Sequence, residues 1–442
     1  MIQSLLVANR GEIALRVIRT CREMGIRTVV AHSVADRDSL PVRSADASVC
    51  IGPAPARDSY LNIRNLVTAG VLCGCDAVHP GVGFLSENAA FAREVRDAGL
   101  IFIGPDPDVI ELLGDKIRAK RSAMDLGIPV IPGSAGPVGN VKEALDAAGS
   151  LGYPLIVKAA AGGGGKGMRI VRSDRELSDV LAVASQEAMK AFADGTVYLE
   201  KYLENPRHVE IQIVADRKGN VVHLGERDCT VQQNHQKLIE ESPSIVVTPE
   251  LRSRMGEDAV RLLRVLGYTG AGTVEFLVDE GRHYFMEVNA RVQVEHPVSE
   301  AVTGIDIIRQ QILAASDEAM EFRQEDVMLG GYAVECRINA RSAGRVTRFE
   351  SPGGFGVRMD TFLYAGYFVP PWYDHLVAKL ICVGRTRPEG LRRMERALGE
   401  LTIEGIDTNT AMQRKIVAHP RFRKGVYGTS LLGDLLKEGA LS

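Results

Sequence analysis

The chain has 442 residues, of which 45% are hydrophobic and 25% are charged, and its formal net charge is −3. This length allows two to four domains, and the composition is ordinary for a globular protein. The small negative charge gives no electrostatic footprint for nucleic acid or anionic membranes, so neither is expected as a partner. No apolar segment reaches the length of a membrane span and the first residues lack signal-peptide features, so we expect a cytoplasmic protein.

The seven cysteines are odd in number and are scattered from Cys21 to Cys382. This distribution is typical of reduced thiols rather than of a disulfide framework. Cys73 and Cys75 form the only close pair, and no zinc-binding partners stand near them in the sequence. We interpret both as small buried residues.

The first hundred residues alternate short apolar strands, at 5–8, 28–31, 77–79 and 100–105, with helical stretches. This alternation predicts a doubly wound α/β domain. Ligands of such sheets collect beyond the carboxyl ends of the strands, where the sequences NRGE and HPGVG stand. The first turn contains a single glycine, so the dinucleotide-binding fingerprint is absent.

A glycine-rich segment follows a predicted strand in the second part of the chain. Gly162, Gly164 and Gly167 satisfy a GxGxxG pattern, but strand-like residues follow it and no Ser or Thr follows Lys166. The segment is therefore neither a Rossmann loop nor a Walker A loop. We interpret it as a lid whose amides close over a polyphosphate, with Lys158 and Lys166 supplying charge. A mobile linker would explain the glycines, but not a lysine at the end of a buried strand.

Two alternating runs, 273–278 and 284–296, predict a hairpin in the third part of the chain. Polar side chains occupy every second position of the later run, namely Glu287, Asn289, Arg291, Gln293 and Glu295. A three-residue loop containing glycine would place Glu275 opposite Glu287, with Cβ atoms about 4.5–5.5 Å apart. A divalent cation would remove the repulsion, and Asn289 would complete an oxygen shell suited to Mg²⁺ or Mn²⁺. A solvated acidic hairpin would show the same alternation.

Two further elements are predicted near the end of the chain. The Gly- and Pro-rich run 352–356 is expected to lie in a sheet region. An amphipathic helix is predicted after it, through Leu391, Met394, Leu398 and Leu401.

Short motifs that follow one another along nearly the whole chain resemble one family. They are ANRGEIA at 8–14, HPG at 79–81, GFLSEN at 83–88, GDK at 114–116, the glycine-rich segment, EKYLE at 200–204, RHVE at 207–210, ERDC at 226–229 and VEHPV at 294–298. Together they resemble biotin carboxylase, the ATP-grasp component of biotin-dependent carboxylases such as acetyl-CoA carboxylase.

The resemblance implies a multidomain α/β and α+β protein. A doubly wound domain at 1–114 would precede a two-part ATP-grasp fold with a glycine-rich lid. Residues 115–203 would form its small lid domain, and 204–442 its large domain together with the carboxy-terminal domain.

The implied reaction carboxylates the ureido nitrogen of biotin with ATP and bicarbonate, through carboxyphosphate. Two Mg²⁺ or Mn²⁺ ions are expected, since phosphoryl transfer depends on positioning and charge neutralisation. Acetyl-CoA is the first choice of final acceptor, and pyruvate or another acyl-CoA are alternatives. Another ATP-grasp ligase that joins a carboxylate to an amine, or a degenerate nucleotide-binding regulator, also remains open.

The resemblance also assigns roles to residues. Its ATP-binding set is Lys116, Lys158, Gly164, Gly165, Glu200, Lys201, Tyr202, Leu203, His208, Gln232, His235, Glu275 and Glu287. Its metal ligands are Glu275, Glu287 and Asn289, and its bicarbonate cradle is Lys237, Arg291, Gln293, the backbone of Val294, and Glu295. Its catalytic residues are Lys237, Arg291, Glu295 and Arg337: Glu295 would be the general base, kept ionised by a neighbouring guanidinium group, and Arg337 would bind biotin as its enolate. Structural ion pairs would use the same residue types.

The family's interface between protomers is matched by a scattered set of positions, which implies a homodimer. These positions are Arg19, Glu23, Phe355, Arg358 and Asp374. We find neither a biotin-accepting lysine nor a carboxyltransferase segment, so a biotin carboxyl carrier protein and a carboxyltransferase are expected as separate chains.

Three features depart from the family pattern. Val82 replaces a tyrosine near the biotin site, and Gln233 and Asn234 replace two arginines. The loop after Asn339 is also several residues shorter than usual. These departures motivate the hypothesis of altered carrier or substrate preference, or of slower turnover.

Overall fold

The computed structural model describes residues 2–134, 136–159, 169–192, 195–234 and 236–441. The predicted ATP contacts Gly164, Gly165 and His235, and Lys166 of the predicted lid, lie outside the described residues. Among the described residues, no helix is both long enough and apolar enough to cross a membrane. All seven cysteines are unpaired, as expected, with Cys75 buried and Cys73 half-buried.

Residues 2–134 form a five-stranded parallel sheet in the order β3-β2-β1-β4-β5. The strands are β1 (Ser4–Val7), β2 (Arg27–Ser33), β3 (Ala47–Gly52), β4 (Ala77–His79) and β5 (Ile101–Phe102). The helices are α1 (Gly11–Glu23), α2 (Leu40–Ser44), α3 (Ile63–Leu72), α4 (Ala89–Asp97), α5 (Pro107–Gly114) and α6 (Lys116–Asp125). The predicted doubly wound domain is confirmed, because helices cover both faces of the sheet.

Strand alternation explains why both faces are covered. In β1, Leu5 packs in the cluster that holds Ile13 and Val17 of α1, whereas Leu6 packs in the cluster that holds Phe91 of α4. Strand β3 was not predicted, since it lies at the sheet edge and only Ile51 of its residues is buried.

A small three-stranded antiparallel sheet follows, in the order β7-β6-β8. Its elements are α7 (Val141–Leu151), β6 (Leu155–Ala159), β7 (Arg169–Val171), α8 (Asp174–Phe192) and β8 (Val197–Lys201). Ala148 of α7 and Leu177 of α8 join Val157 and Leu199 in one apolar core. The two helices therefore cover one face of this sheet, and the predicted domain boundaries after residues 114 and 203 stay predictions.

Residues 205–441 are built around an eight-stranded antiparallel sheet, in the order β13-β12-β9-β10-β11-β14-β19-β17. Its strands are β9 (Arg207–Ala215), β10 (Val221–Gln233), β11 (Gln236–Ser242), β12 (Gly270–Asp279), β13 (Arg282–Asn289), β14 (Tyr332–Asn339), β17 (Val357–Thr361) and β19 (Leu376–Gly384). The short strands β15 (Gly344–Arg345), β16 (Arg348–Glu350), β18 (Phe368–Val369) and β20 (Thr402–Glu404) form two separate ladders. The helices are α9 (Pro249–Val265), α10 (His296–Thr303), α11 (Ile307–Ala315), α12 (Arg387–Glu400), α13 (Thr410–Ala418), α14 (Pro420–Lys424) and α15 (Leu431–Lys437).

The Gly- and Pro-rich run 352–356 was expected to lie in a sheet, and that prediction is wrong. This run connects β16 to β17 through a turn. The amphipathic helix predicted through Leu391 and Leu398 is confirmed as α12, whose buried residues include both leucines.

The β12–β13 hairpin has the predicted pairing but not the predicted loop. Asp279 pairs with Arg282, so the loop has two residues, Glu280 and Gly281, with φ angles of 47° and 73°. Two left-handed residues match the twist of a tight hairpin, and the expectation of a three-residue loop is therefore wrong.

A β-bulge then restores the predicted register, so that Glu275 still pairs with Glu287. The bulge also leaves Met286 exposed, although strict alternation predicts it on the apolar face. Strand β13 ends at Asn289 and α10 begins at His296, so the prediction of one extended run through Glu295 is wrong.

Candidate active site

The site is built on a strand that is buried along its whole length yet carries polar residues at every second position. In β9 these residues are His208, Glu210 and Gln212, which share one face because side chains alternate along a strand. Register pairing sets Glu275 of β12 beside Glu210 on one side, and Arg227 of β10 on the other. Buried polar groups of this kind must satisfy one another, which fixes their positions.

Lys237, on β11, joins three of the site's carboxylates. Its Nζ lies 2.6 Å from Glu210, 2.8 Å from Glu275 and 2.7 Å from Glu295. Burial opposes the charge of Lys237, but the three carboxylates outweigh it and hold the lysine pKa well above its ordinary value. The ammonium group is therefore a fixed positive charge between the predicted metal ligand Glu275 and the predicted base Glu295.

Glu295 is fully buried, and its second carboxylate oxygen accepts a hydrogen bond from Arg337. Nη2 of Arg337 lies 2.8 Å from that oxygen, and Nε of Arg337 lies 2.6 Å from Glu240. Burial favours the neutral acid, but Lys237 and Arg337 outweigh it and hold the pKa of Glu295 well below its usual range. Glu295 is therefore a carboxylate near neutral pH, and the guanidinium group beside it belongs to Arg337.

Arg291 is held instead by Glu87, from the amino-terminal domain. Nε of Arg291 lies 2.8 Å from one oxygen of Glu87, and the N–H of Ala290 lies 3.0 Å from the other. Nη1 of Arg291 also donates to the Gln293 side chain at 3.1 Å. The amino-terminal domain thus helps to place the predicted bicarbonate-binding arginine.

A cavity of about 620 Å³ lies between the small sheet, α6 and β13. Lys116, Lys158, Glu200 and Glu287 all line it. Glu200 accepts hydrogen bonds from Lys158 and, at 2.7 Å, from Lys120. Burial raises the pKa of Glu200, but the two lysines outweigh burial and lower it overall.

At the end of β8, beside this cavity, two backbone N–H groups donate hydrogen bonds within the protein. The N–H of Lys201 donates to Pro132 at 2.8 Å, and that of Tyr202 donates to Pro154 at 3.0 Å. The Lys201 side chain donates to the carbonyls of Gly152 and Tyr153. The N–H groups of Lys201 and Tyr202 are therefore already bonded within the protein.

His208 and Gln232 are joined by a hydrogen bond beside Glu275. Nε2 of Gln232 donates to Nδ1 of His208 at 2.6 Å, and Nε2 of His208 donates to Glu275 at 2.9 Å. These two predicted ATP contacts are thus joined to the predicted metal ligand Glu275.

Three family models match consecutive parts of the chain. They are the biotin carboxylase N-terminal domain at 1–110, the ATP-binding domain of the carbamoyl-phosphate synthase L chain at 115–322, and the biotin carboxylase C-terminal domain at 335–434. Biotin carboxylase 1 of Bacillus subtilis is 50% identical over 442 residues and covers 98% of each chain. The chain belongs to the biotin carboxylase family.

Two further relatives show the range of enzymes in which this family occurs. A pyruvate carboxylase subunit of Methanothermobacter thermautotrophicus is 47% identical and covers 98% of this chain and 90% of that protein. The crystal structure of the Hydrogenobacter thermophilus 2-oxoglutarate carboxylase biotin carboxylase domain dimer, with MgADP, ADP and bicarbonate, is 44% identical. It covers 100% of this chain and 99% of its own, with a TM-score of 0.90. The family is one of ATP-dependent ligases, but these relatives differ in their acceptors.

The predicted metal ligands of this family member fit a hard divalent cation. Glu275 and Glu287 are register partners on one hairpin face, and Asn289 donates Nδ2 to Glu275 at 2.9 Å. Lysine ammonium groups contact both carboxylates, Lys237 on Glu275 and Lys116 on Glu287 at 2.6 Å, so they already offset the repulsion from which the sequence predicts a cation. The fit to a metal therefore rests on the chemistry of the ligands. Carboxylate and amide oxygens of this kind are the ligands that Mg²⁺ and Mn²⁺ prefer. Glu275 also belongs to a cluster with His208 and Glu210, which includes a nitrogen ligand and fits these ions less well.

Several residues that build the site received no role from the sequence. Arg227, fully buried, donates to Glu210 at 2.6 Å, to Gln212 at 2.5 Å and to Thr273 at 3.0 Å. Glu87 and Glu240 were also missed. The alternating polar residues of β9 were a usable signal for Glu210, but partners from distant strands leave no local pattern.

Proposed function

We propose that this protein carboxylates the ureido nitrogen of biotin, using ATP and bicarbonate and passing through carboxyphosphate. One observation carries the proposal: the Lys237 ammonium group joins Glu275, on the nucleotide side, to Glu295, on the carboxyl-transfer side. The positive charge of Lys237 therefore lies where the terminal phosphate of ATP and bicarbonate would meet. The related 2-oxoglutarate carboxylase domain binds MgADP and bicarbonate, which supports the same substrates here.

In the nucleotide half, Lys116 and Lys158 would bind the phosphates of ATP, because both line the large cavity. An arriving phosphate would compete with Glu287 for Lys116 and with Glu200 for Lys158, so these two carboxylates orient the lysines in advance. A bound Mg²⁺ or Mn²⁺ pair, held by Glu275, Glu287 and Asn289, would supply neutralisation of the phosphate charge.

In the carboxyl half, Arg291, Lys237, Gln293 and the Val294 backbone would bind bicarbonate, and Glu295 would take its proton. The low pKa of Glu295 makes it a weak base while Lys237 and Arg337 are both bonded to it. Bicarbonate draws Lys237 toward itself and the biotin oxygen draws Arg337, so the basicity of Glu295 rises once both substrates are bound.

Arg337 would stabilise the negative charge that develops on the ureido oxygen as the nitrogen attacks. That charge exists only during transfer, so the interaction lowers the barrier rather than tightening ground-state binding. Its ion pair with Glu240, at 2.6 Å, holds the guanidinium group in place from behind.

The test is ADP formation by the purified chain, measured with and without bicarbonate and free biotin. Bicarbonate- and biotin-dependent ADP formation supports the proposal. A requirement for an amine substrate would instead identify a carboxylate–amine ligase. ATP binding with no biotin-dependent turnover would identify a nucleotide-binding regulator.

Carrier, acceptor and location are further proposals. The biotin substrate would be attached to a separate carrier protein, and a separate carboxyltransferase would pass the carboxyl group to acetyl-CoA, with pyruvate or another acyl-CoA as alternatives. Comparing free biotin with a biotinylated carrier also tests the departures at Val82, Gln233, Asn234 and the loop after Asn339. Seven unpaired cysteines favour a reducing, cytoplasmic location.

We also propose a homodimer. Helix α1, which carries the exposed residues Arg19 and Glu23, packs beside β17, next to Phe355 and Arg358. Phe355 is 89% exposed, an unusual position for an aromatic ring unless another surface covers it. Light scattering at assay concentration should give a dimer, and Phe355→Ala should shift the population toward monomer.

A further inference from the structure

Two successive peptide groups of the proposed bicarbonate cradle are fixed from the side of the core. The Gln293 carbonyl accepts a hydrogen bond from Nδ1 of His296 at 2.8 Å, and the Val294 carbonyl accepts one from Nζ of Lys379 at 2.8 Å. The C=O and N–H of a trans peptide point in opposite directions. The N–H groups of Val294 and Glu295 are therefore directed to the side of their peptide planes opposite these two donors.

Lys379 lies in the interior of β19 and is fully buried. Its Nζ also lies 3.0 Å from Oε2 of Glu12, at the start of α1 in the amino-terminal domain. The register of β19 sets Lys379 beside Arg337 of β14 on one side and Asp360 of β17 on the other. Burying an ammonium group costs free energy, so we expect the contact between Lys379 and the Val294 carbonyl to have a specific role.

The other donor, His296, complements this arrangement. Burial, reinforced by Lys379 and Arg16, holds the pKa of His296 well below its ordinary value. The ring is therefore neutral, with its proton on Nδ1, where the Gln293 carbonyl accepts it. Lys379 is thus the charged donor that fixes this segment, and it polarises the peptide whose carbonyl it binds.

We propose that Lys379 is a positioning residue for the anion cradle: by holding the Val294 carbonyl inward, it directs the adjoining backbone N–H groups toward a planar one-carbon oxyanion beside Arg291. This inference rests on the function proposed above, and it adds a residue to that site. Glu12 holds Lys379 in place, which connects the amino-terminal domain to the cradle.

The experiment compares three variants by steady-state ADP formation in the presence of free biotin. Lys379→Met removes the donor to Val294, and Glu12→Gln keeps an acceptor for Lys379 while removing the charge. The double variant Lys379→Met/Glu12→Gln removes the donor together with the charge of the carboxylate that it contacts, which limits the cost to the fold. The KM for bicarbonate, the KM for ATP and the thermal midpoint are measured for each.

We expect the KM for bicarbonate to rise about tenfold in both variants that lack Lys379. Without Lys379 a backbone N–H of the cradle is misdirected, and a tenfold rise is the usual effect of losing one charge-assisted hydrogen bond to the substrate. The KM for ATP should stay at the wild-type value, and Glu12→Gln should keep the KM for bicarbonate close to wild type. A purely structural lysine would lower the thermal midpoint without this split between the two substrates.

A folded double variant with an unchanged KM for bicarbonate overturns the inference and leaves the proposed function intact. A wild-type chain whose ADP formation ignores bicarbonate overturns the proposed function, and the inference with it.

Discussion

Glu240 and Glu335 are direct register partners on β11 and β14, and both are fully buried. Burial, only partly offset by Arg337, raises the pKa of Glu240 to about 7. Burial, only partly offset by Lys379 and reinforced by the nearby Glu240, raises the pKa of Glu335 well above its ordinary value. The pair therefore holds at least one proton near neutral pH, directly behind Arg337.

The first prediction follows from this pair. A carboxyl group whose pKa is higher in the folded than in the unfolded protein stabilises the fold at low pH, and that contribution is lost as the pH rises through the folded value. For Glu240 the loss would be roughly 3 kcal/mol between pH 4.5 and pH 7. We expect Glu240→Gln, a mimic of the protonated acid, to gain stability relative to wild type as the pH rises.

Urea denaturation at pH 5, 6, 7 and 8 measures this difference. Glu404→Gln is the control, because Glu404 forms an exposed ion pair with Arg348 and should leave the pH profile unchanged. A constant stability difference between Glu240→Gln and wild type across this range would contradict the assignment.

The second prediction concerns the proposed base and its partner. Glu295→Gln should lower biotin-dependent turnover about a hundredfold or more, since a positioned general base typically contributes that much. Arg337→Ala should act similarly, because charge on the biotin oxygen would no longer be stabilised. Both variants should bind ATP with wild-type affinity in a nucleotide-binding titration.

Arg396→Ala is the control for that experiment, since Arg396 forms an exposed pair with Glu400 in α12. Full turnover in Glu295→Gln would eliminate Glu295 as the base. Loss of ATP binding in either variant would show that the network cannot be divided into nucleotide and carboxyl halves.

The third prediction tests the metal ligands. Glu287→Gln should raise the Mg²⁺ concentration needed for half-maximal ADP formation by about tenfold, because the site loses a charged ligand. Glu280→Gln changes an exposed residue in the two-residue loop of the same hairpin and serves as the matched control. Equal Mg²⁺ requirements in the two variants would remove Glu287 from the metal shell.

The fourth prediction distinguishes two lysines of neighbouring strands. Lys158→Met should raise the KM for ATP by about tenfold, since its ammonium group faces the large cavity and would lose a phosphate contact. Lys201→Met should leave that KM unchanged, because the Lys201 side chain binds the carbonyls of Gly152 and Tyr153. Similar changes in both variants would mean that the cavity is not the phosphate site.

Sequence alone determined the parallel amino-terminal sheet, the α12 helix and the existence of the β12–β13 hairpin. Each depends on a local alternation of polar and apolar residues, which is visible in a short stretch of chain. The motifs that resemble biotin carboxylase named the family correctly as well, since their order and spacing extend along nearly the whole chain.

Tertiary structure alone decided which charges meet. Lys237 lies far along the chain from Glu295, and Lys379 farther still from Glu12, yet each pair is in contact because the start of α10 and helix α1 pack against the large sheet. The bulge at Met286 offsets the shorter loop and restores the register, and no feature of the neighbouring sequence predicts it. Each buried charge pairs with the group that the tertiary fold places next to it. The sequence around the residue does not indicate which group that is.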